Sequence, residues 1–174
     1  MPFIHTIPEA EATGELAALY QRLAYADGSV DEAFRALSLN PALLAADAAM
    51  YDTVMYGDSP LSRLDRELLA MTVSRLNGCE RCLRHHSARC ASLGGRVEPG
   101  RAQAMLAFAE KLTRDPGATT AADIDALRRA GLEDRAILDT CNVVAYFAYA
   151  NRMTLGLGLS RTPEPPRPRP GREG

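Results

Sequence analysis

Two cysteines three residues apart, Cys79 and Cys82, are the side chains in this sequence best suited to chemistry. A thiolate is a strong nucleophile, and a second thiol one helical turn away can close a disulfide on the product of the first attack. Asn77-Gly78 just before them reads as a helix stop, so the two cysteines open the next helix. There, unpaired backbone N–H groups and the positive end of the helix dipole favour a thiolate over a thiol. Arg81 and Arg84 add positive charge, opposed by Glu80. His86 follows Cys82 by four residues and stacks over it on one helical face, where an imidazole can accept a thiol proton directly or through a water. His85 is rotated away by about a hundred degrees and is expected at the surface.

Glu67 belongs to the preceding helix. Its neighbours at helical spacing are Ala70, Met71 and Ser74, a mostly apolar stripe, while Asp65 and Arg66 fall on other faces. A carboxylate on such a stripe needs a partner, and His86 on the following helix, folded back, can be that partner and be oriented by it. Each residue alone has a structural explanation: a chance cysteine pair, a packing histidine, a misjudged helical face. Their combination is what points to thiol redox chemistry. Cys79, Cys82, His86 and Cys90 share a face, but the helix between the outer two is about 16 Å long, too long for one tetrahedral ion. Cys79, Cys82 and His86 alone make an incomplete zinc site, which leaves metal binding as a lesser rival to the expectation of no metal or other cofactor. A haem attachment motif needs His where Leu83 stands, and a thioredoxin-type site needs strands. Cys90 and Cys141 read as small apolar core residues.

The elements that must position these groups all read as helices. Apolar residues recur at helical spacing over Glu9–Ala24, Val30–Leu37 and Pro41–Tyr56. Ser59 or Ser62 can cap the next helix with Pro60 in its first turn, and Leu61, Leu64, Leu68 and Met71 continue it. The cysteine helix runs to about Leu93, where Gly94-Gly95 stops it. Arg101–Thr113 and Ala121–Ala130 follow, separated by Asp115-Pro116-Gly117. The last helix, about Glu133–Leu157, carries Val143, Val144, Tyr146, Phe147 and Tyr149 and must be buried in the bundle or in a subunit contact, with some of these rings lining a pocket. Strand signals are nearly absent. From Arg161 the chain turns Pro- and Arg-rich, with five of the eleven prolines and no other apolar side chain, so residues 161–174 are expected to be an extended tail outside a domain of residues 1–160.

A chain of 174 residues can bury a substantial core in one domain. Its net charge of -2, with Lys and Arg scattered among Asp and Glu, argues against a nucleic-acid or anionic membrane surface. The start of the sequence is not a secretory signal, and the longest apolar run, Val143–Ala150, is too short to cross a bilayer. A cytoplasmic setting is expected, where a C-x-x-C pair reads as reactive rather than structural.

Glu67, eleven residues, Cys79-x-x-Cys82, three residues and His86 together resemble the motif of the alkylhydroperoxidase D (AhpD)-like enzymes of the carboxymuconolactone decarboxylase superfamily. Leu61–Glu67, Leu76–Cys79, Phe108–Pro116, Val143–Phe147 and Asn151-Arg152 resemble its peroxidase-related branch, so the likeness spans most of residues 1–160. The resemblance implies an all-α AhpD-like helical bundle, assembled as a dimer, trimer or hexamer. It implies reduction of a small hydroperoxide at the expense of an external dithiol or small redox protein. It makes Cys82 the attacking cysteine, Cys79 the resolving one, and His86 with Glu67 the proton relay. One position departs from the family: Arg81 stands where the best-known members carry a His before the second cysteine, which removes a relay group and offers a cation to the Cys82 thiolate instead. A redox-sensing or thiol–disulfide exchange protein without efficient turnover is the alternative.

Overall fold

The computed structural model of the chain describes residues 2–159; the tail expected from residue 161 lies outside them. Eight α-helices and no strand occur among the described residues: α1 (Gly14–Leu23), α2 (Glu32–Arg35), α3 (Pro41–Tyr56), α4 (Arg63–Leu76), α5 (Glu80–Leu93), α6 (Pro99–Arg114), α7 (Ala121–Arg129) and α8 (Asp134–Gly156). The all-α expectation therefore holds.

Local chemistry sets most boundaries. Asn40 accepts from Leu43 N at the start of α3, with Pro41 in the first turn. Ser62 and Asp65 form a reciprocal capping box at the start of α4, so Ser62, not Ser59, is the cap and Pro60 lies ahead of the helix. Asn77 closes α4, and Gly78 (φ +68) takes the left-handed conformation that reverses the chain. Two expected helices are shorter than their periodicity suggests. Glu9–Ala24 breaks into a 3-10 turn, Glu9–Glu11, and α1, because Ala12 and Thr13 are extended. Val30–Leu37 contains only the four residues of α2, capped by Asp31 and running out into turns.

α4 is the central element, packed against α5, α6 and α8. The main core lies among these helices and includes Leu69, Val73, Met105, Phe108, Val143 and Phe147. A second cluster joins α1, α2 and α3 through Leu19, Leu23, Phe34 and Leu44, and Tyr51 packs against both. Arg66 is buried as well: its guanidinium donates to the carbonyls of Leu61 and Val54 and so pins the α3–α4 loop. Asp65 is buried in its cap.

Candidate active site

The α4–α5 hairpin brings the sequence motif together. Cys79 is the N-cap of α5: its carbonyl accepts from Leu83 N at 2.8 Å, and its own N–H donates to Ser74 O at 2.9 Å. The next turn carries Cys82, and the two Sγ atoms lie 2.7 Å apart. All four cysteines are free. Cys79 is fully buried, whereas Cys82 lies in the wall of a cavity of about 120 Å³.

At this separation the two thiols share protons. The Cys82 thiol donates to Cys79 and, with the Cys82 backbone N–H and Arg81, lowers Cys79 to about 7 against the opposing effect of burial. Donating that hydrogen bond, being buried and facing the Cys79 charge all raise Cys82. The pair therefore releases its first proton near neutrality and holds its second well above.

His86 is buried one turn beyond Cys82 and also lines the cavity. Its Nδ1 lies 2.6 Å from Glu67 Oε2. Glu67 has no exposed surface, and its other oxygen accepts from Arg63 Nη2 at 2.6 Å. Burial pushes the carboxyl up, but His86 and Arg63 outweigh it and Glu67 ends below its ordinary value. An ionised carboxylate only accepts hydrogen bonds, so the neutral imidazole carries its proton on Nδ1 and leaves Nε2 bare. The Phe147 ring meets the imidazole edge to face at 4.5 Å and fixes its plane.

A polar layer behind the sulfurs escaped the sequence reading. Asn151 and Thr154 of α8 are buried; Asn151 Nδ2 donates to Ser74 Oγ at 3.2 Å, and Asn77 Nδ2 donates to Asn151 Oδ1 at 3.0 Å. Thr154 Oγ1 lies 3.7 Å from Cys82 Sγ. The available signal was their spacing: Ala150, Asn151 and Thr154 recur at helical steps on an apolar helix, where buried polar groups need a purpose.

Three expectations need correction. His85 is not at the surface: it is half-buried in the cavity wall, because α5 presents more than one face to the cavity, and burial lowers its imidazole to about 4. Arg81, expected beside the Cys82 thiolate, is tied to carboxylates at the start of α2. It reaches Asp31 at 3.1 Å and Glu32 at 3.5 Å, tying α2 over the cavity, and its field acts on Cys79. Cys90 and Cys141 are half-buried: Cys141 packs against the main core, whereas Cys90 belongs to neither core cluster. Among the described residues, no group of three or more His, Cys, Asp and Glu is arranged to hold a metal.

Aromatic rings form a large part of the remaining wall. Phe34, Tyr51, Tyr56, Tyr146, Phe147 and Tyr149 line it, so the α8 rings serve both core and pocket. No helix among the described residues is long and apolar enough to cross a membrane.

An all-helical bundle with a dithiol at the head of one helix and a buried imidazole–carboxylate pair beside it defines a class of protein, and the comparisons give the class its family. Residues 41–124 match the carboxymuconolactone decarboxylase family. A peroxidase-related protein from Silicibacter sp. TM1040 shares the structure at a TM-score of 0.72 and 32% identity, over 82% of this chain and 80% of that one. A second, from Ralstonia eutropha JMP134 and described as an alkylhydroperoxidase AhpD core, does so at 0.71 and 27%, over 92% and 100%. The debrominase Bmp8, at 17% identity over 90% of each chain and a TM-score of 0.72, shares the fold alone. No curated protein matches the sequence. The chain belongs to the carboxymuconolactone decarboxylase family, with the AhpD-like fold.

Proposed function

We propose that the protein is a thiol-dependent peroxidase that reduces a small organic hydroperoxide at Cys82 and Cys79. One observation carries the reading: two free sulfurs 2.7 Å apart, one of them on an aromatic-lined cavity, with His86 in the same wall and Glu67 bonded behind it. His86 takes the proton of one thiol, and the resulting imidazolium is held by the Glu67 carboxylate. The Cys82 proton crosses the 2.7 Å gap to the Cys79 thiolate, and Cys82, now ionised and the sulfur that lines the cavity, attacks the distal peroxide oxygen. The O–O bond breaks, Cys82 becomes a sulfenic acid, and the leaving alkoxide takes the imidazolium proton. Cys79 then loses its proton to His86 and attacks Cys82 sulfur; hydroxide leaves and is protonated to water. The products are one alcohol, one water and a Cys79–Cys82 disulfide, which an external dithiol or small redox protein reduces.

The site tolerates an anionic sulfur well before substrate arrives, since the first proton leaves the pair near pH 7. The same proposal has copies of the chain assembling as a homo-oligomer through apolar side chains left at the surface, among them Leu43, Met50 and Leu138. A sedimentation mass of one chain opposes that part alone.

The test is consumption of cumene hydroperoxide coupled to dihydrolipoamide, with peptide mapping of the thiols after one equivalent of peroxide. The expected result is turnover, its loss in Cys82→Ser, and a disulfide between Cys79 and Cys82. Stoichiometric oxidation of that pair without turnover supports a redox-sensing or thiol-exchange protein instead. Untouched thiols, or oxidation confined to Cys90 and Cys141, contradict both.

A further inference from the structure

The sequence motif names Glu67 and His86 but not the group that holds Glu67. Arg63 stands one turn before it on α4, with its side chain only 11% exposed. Its guanidinium is fixed on three sides. Nη2 donates to Glu67 Oε1 at 2.6 Å, Nη1 donates to the carbonyl of Met55, and the plane lies 3.7 Å over the Tyr56 ring. Glu67 is thus gripped at both oxygens, by Arg63 of its own helix and by His86 of α5. His85 and Cys90 of α5 also lie within its electrostatic reach.

The proton count across this chain of contacts depends on Arg63. With Glu67 ionised, the hydrogen between Oε2 and Nδ1 belongs to the imidazole, and Nε2 is free to accept. A buried carboxyl without its cation takes up a proton. It would then donate that proton to Nδ1, the imidazole would carry its own hydrogen on Nε2, and the atom available to the cavity could no longer accept a thiol proton. We propose that Arg63 is a positioning residue that sets the His86 tautomer through Glu67. The inference rests on the thiol-peroxidase reading for its consequence in activity, but not for its structural content.

Only three histidines, His5, His85 and His86, are present, so ¹⁵N spectra of the imidazoles can be assigned with His86→Gln as reference. In the full-length reduced protein, His86 is expected to carry hydrogen on Nδ1. Arg63→Met and Arg63→Gln are expected to move it to Nε2, whereas Arg63→Lys, which keeps the charge, retains the native form. Cumene hydroperoxide turnover should follow the tautomer, falling by about a hundredfold in the Met and Gln variants and recovering in the Lys variant. If Arg63→Met does not fold, the Gln and wild-type spectra still decide. A wild-type protein with Nε2–H, or a Gln or Met variant that keeps Nδ1–H, overturns the proposal. A tautomer that inverts as expected in a protein inert toward peroxide upholds the role of Arg63 and removes the peroxidase reading.

Discussion

Cys79 and Cys82 are chemically unequal although their side chains are identical. The hydrogen bond given by Cys82 is the largest influence on Cys79, so removing it is diagnostic. The rate of iodoacetamide alkylation in the reduced protein should rise with a midpoint near pH 7, the thiolate being present above that value and lost below it. In Cys82→Ala the Cys79 midpoint should move up toward 9.0; an unchanged midpoint would mean that helix end and Arg81 suffice. Glu67 makes a second case. Its folded-state carboxyl lies below its unfolded value of 4.5, so it stabilises the fold fully above that pH, and the contribution disappears as pH falls through the lower folded value. Glu67→Ala strands Arg63 in a buried site and should cost roughly 3–5 kcal/mol in urea titrations at neutral pH. That loss should shrink toward the acid limb, where the wild type is weakened too.

At the scale of elements, α4 and α5 hold the chemistry and their ends fix its geometry. The Ser62–Asp65 capping box starts α4, and Ser62→Ala should cost about 1 kcal/mol, measured as a lower urea midpoint with unchanged slope. α2 is different in kind: four residues cannot hold themselves as a helix, and Arg81 links this turn to the cysteine helix through Asp31 and Glu32. Arg81→Ala should therefore speed amide hydrogen exchange over residues 32–37 while leaving α4 protected. It should also raise the Cys79 midpoint, because Arg81 is one of the groups lowering it. Equal exchange in both proteins would show that Phe34 and its neighbours hold α2 by packing alone. Arg81 thus has a structural partner that its place inside the cysteine motif conceals.

Across the whole molecule, α8 closes the site. It supplies Phe147 against His86, Thr154 beside Cys82, and Asn151, which joins Ser74 of α4 to Asn77 of the hairpin turn. Asn151 and Asn77, like Thr154 and Cys82, lie more than seventy residues apart in the chain. Asn151→Ala leaves buried polar groups without their bond and should destabilise the protein by about 1–3 kcal/mol. Because Asn151 also orders the turn before Cys79, the same variant should alkylate at Cys79 with a broader pH dependence; a wild-type profile would confine Asn151 to stability.

The sequence by itself determined the helical class, the limits of α3 and most of α6, α7 and α8, the stop at Asn77-Gly78, and the grouping of Cys79, Cys82, His86 and Glu67. These follow from spacing within a helix and from caps and glycines, which act over a few residues and are visible locally. What only the tertiary structure decided was which side chains the neighbours would bury or pair: His85 in the cavity wall, Arg81 on α2, and Asn151 with Thr154 behind the sulfurs. The reason is physical. A helix fixes the direction of each side chain about its own axis, but burial and charge pairing depend on where other helices lie, and those contacts cross long stretches of chain that no local pattern encodes.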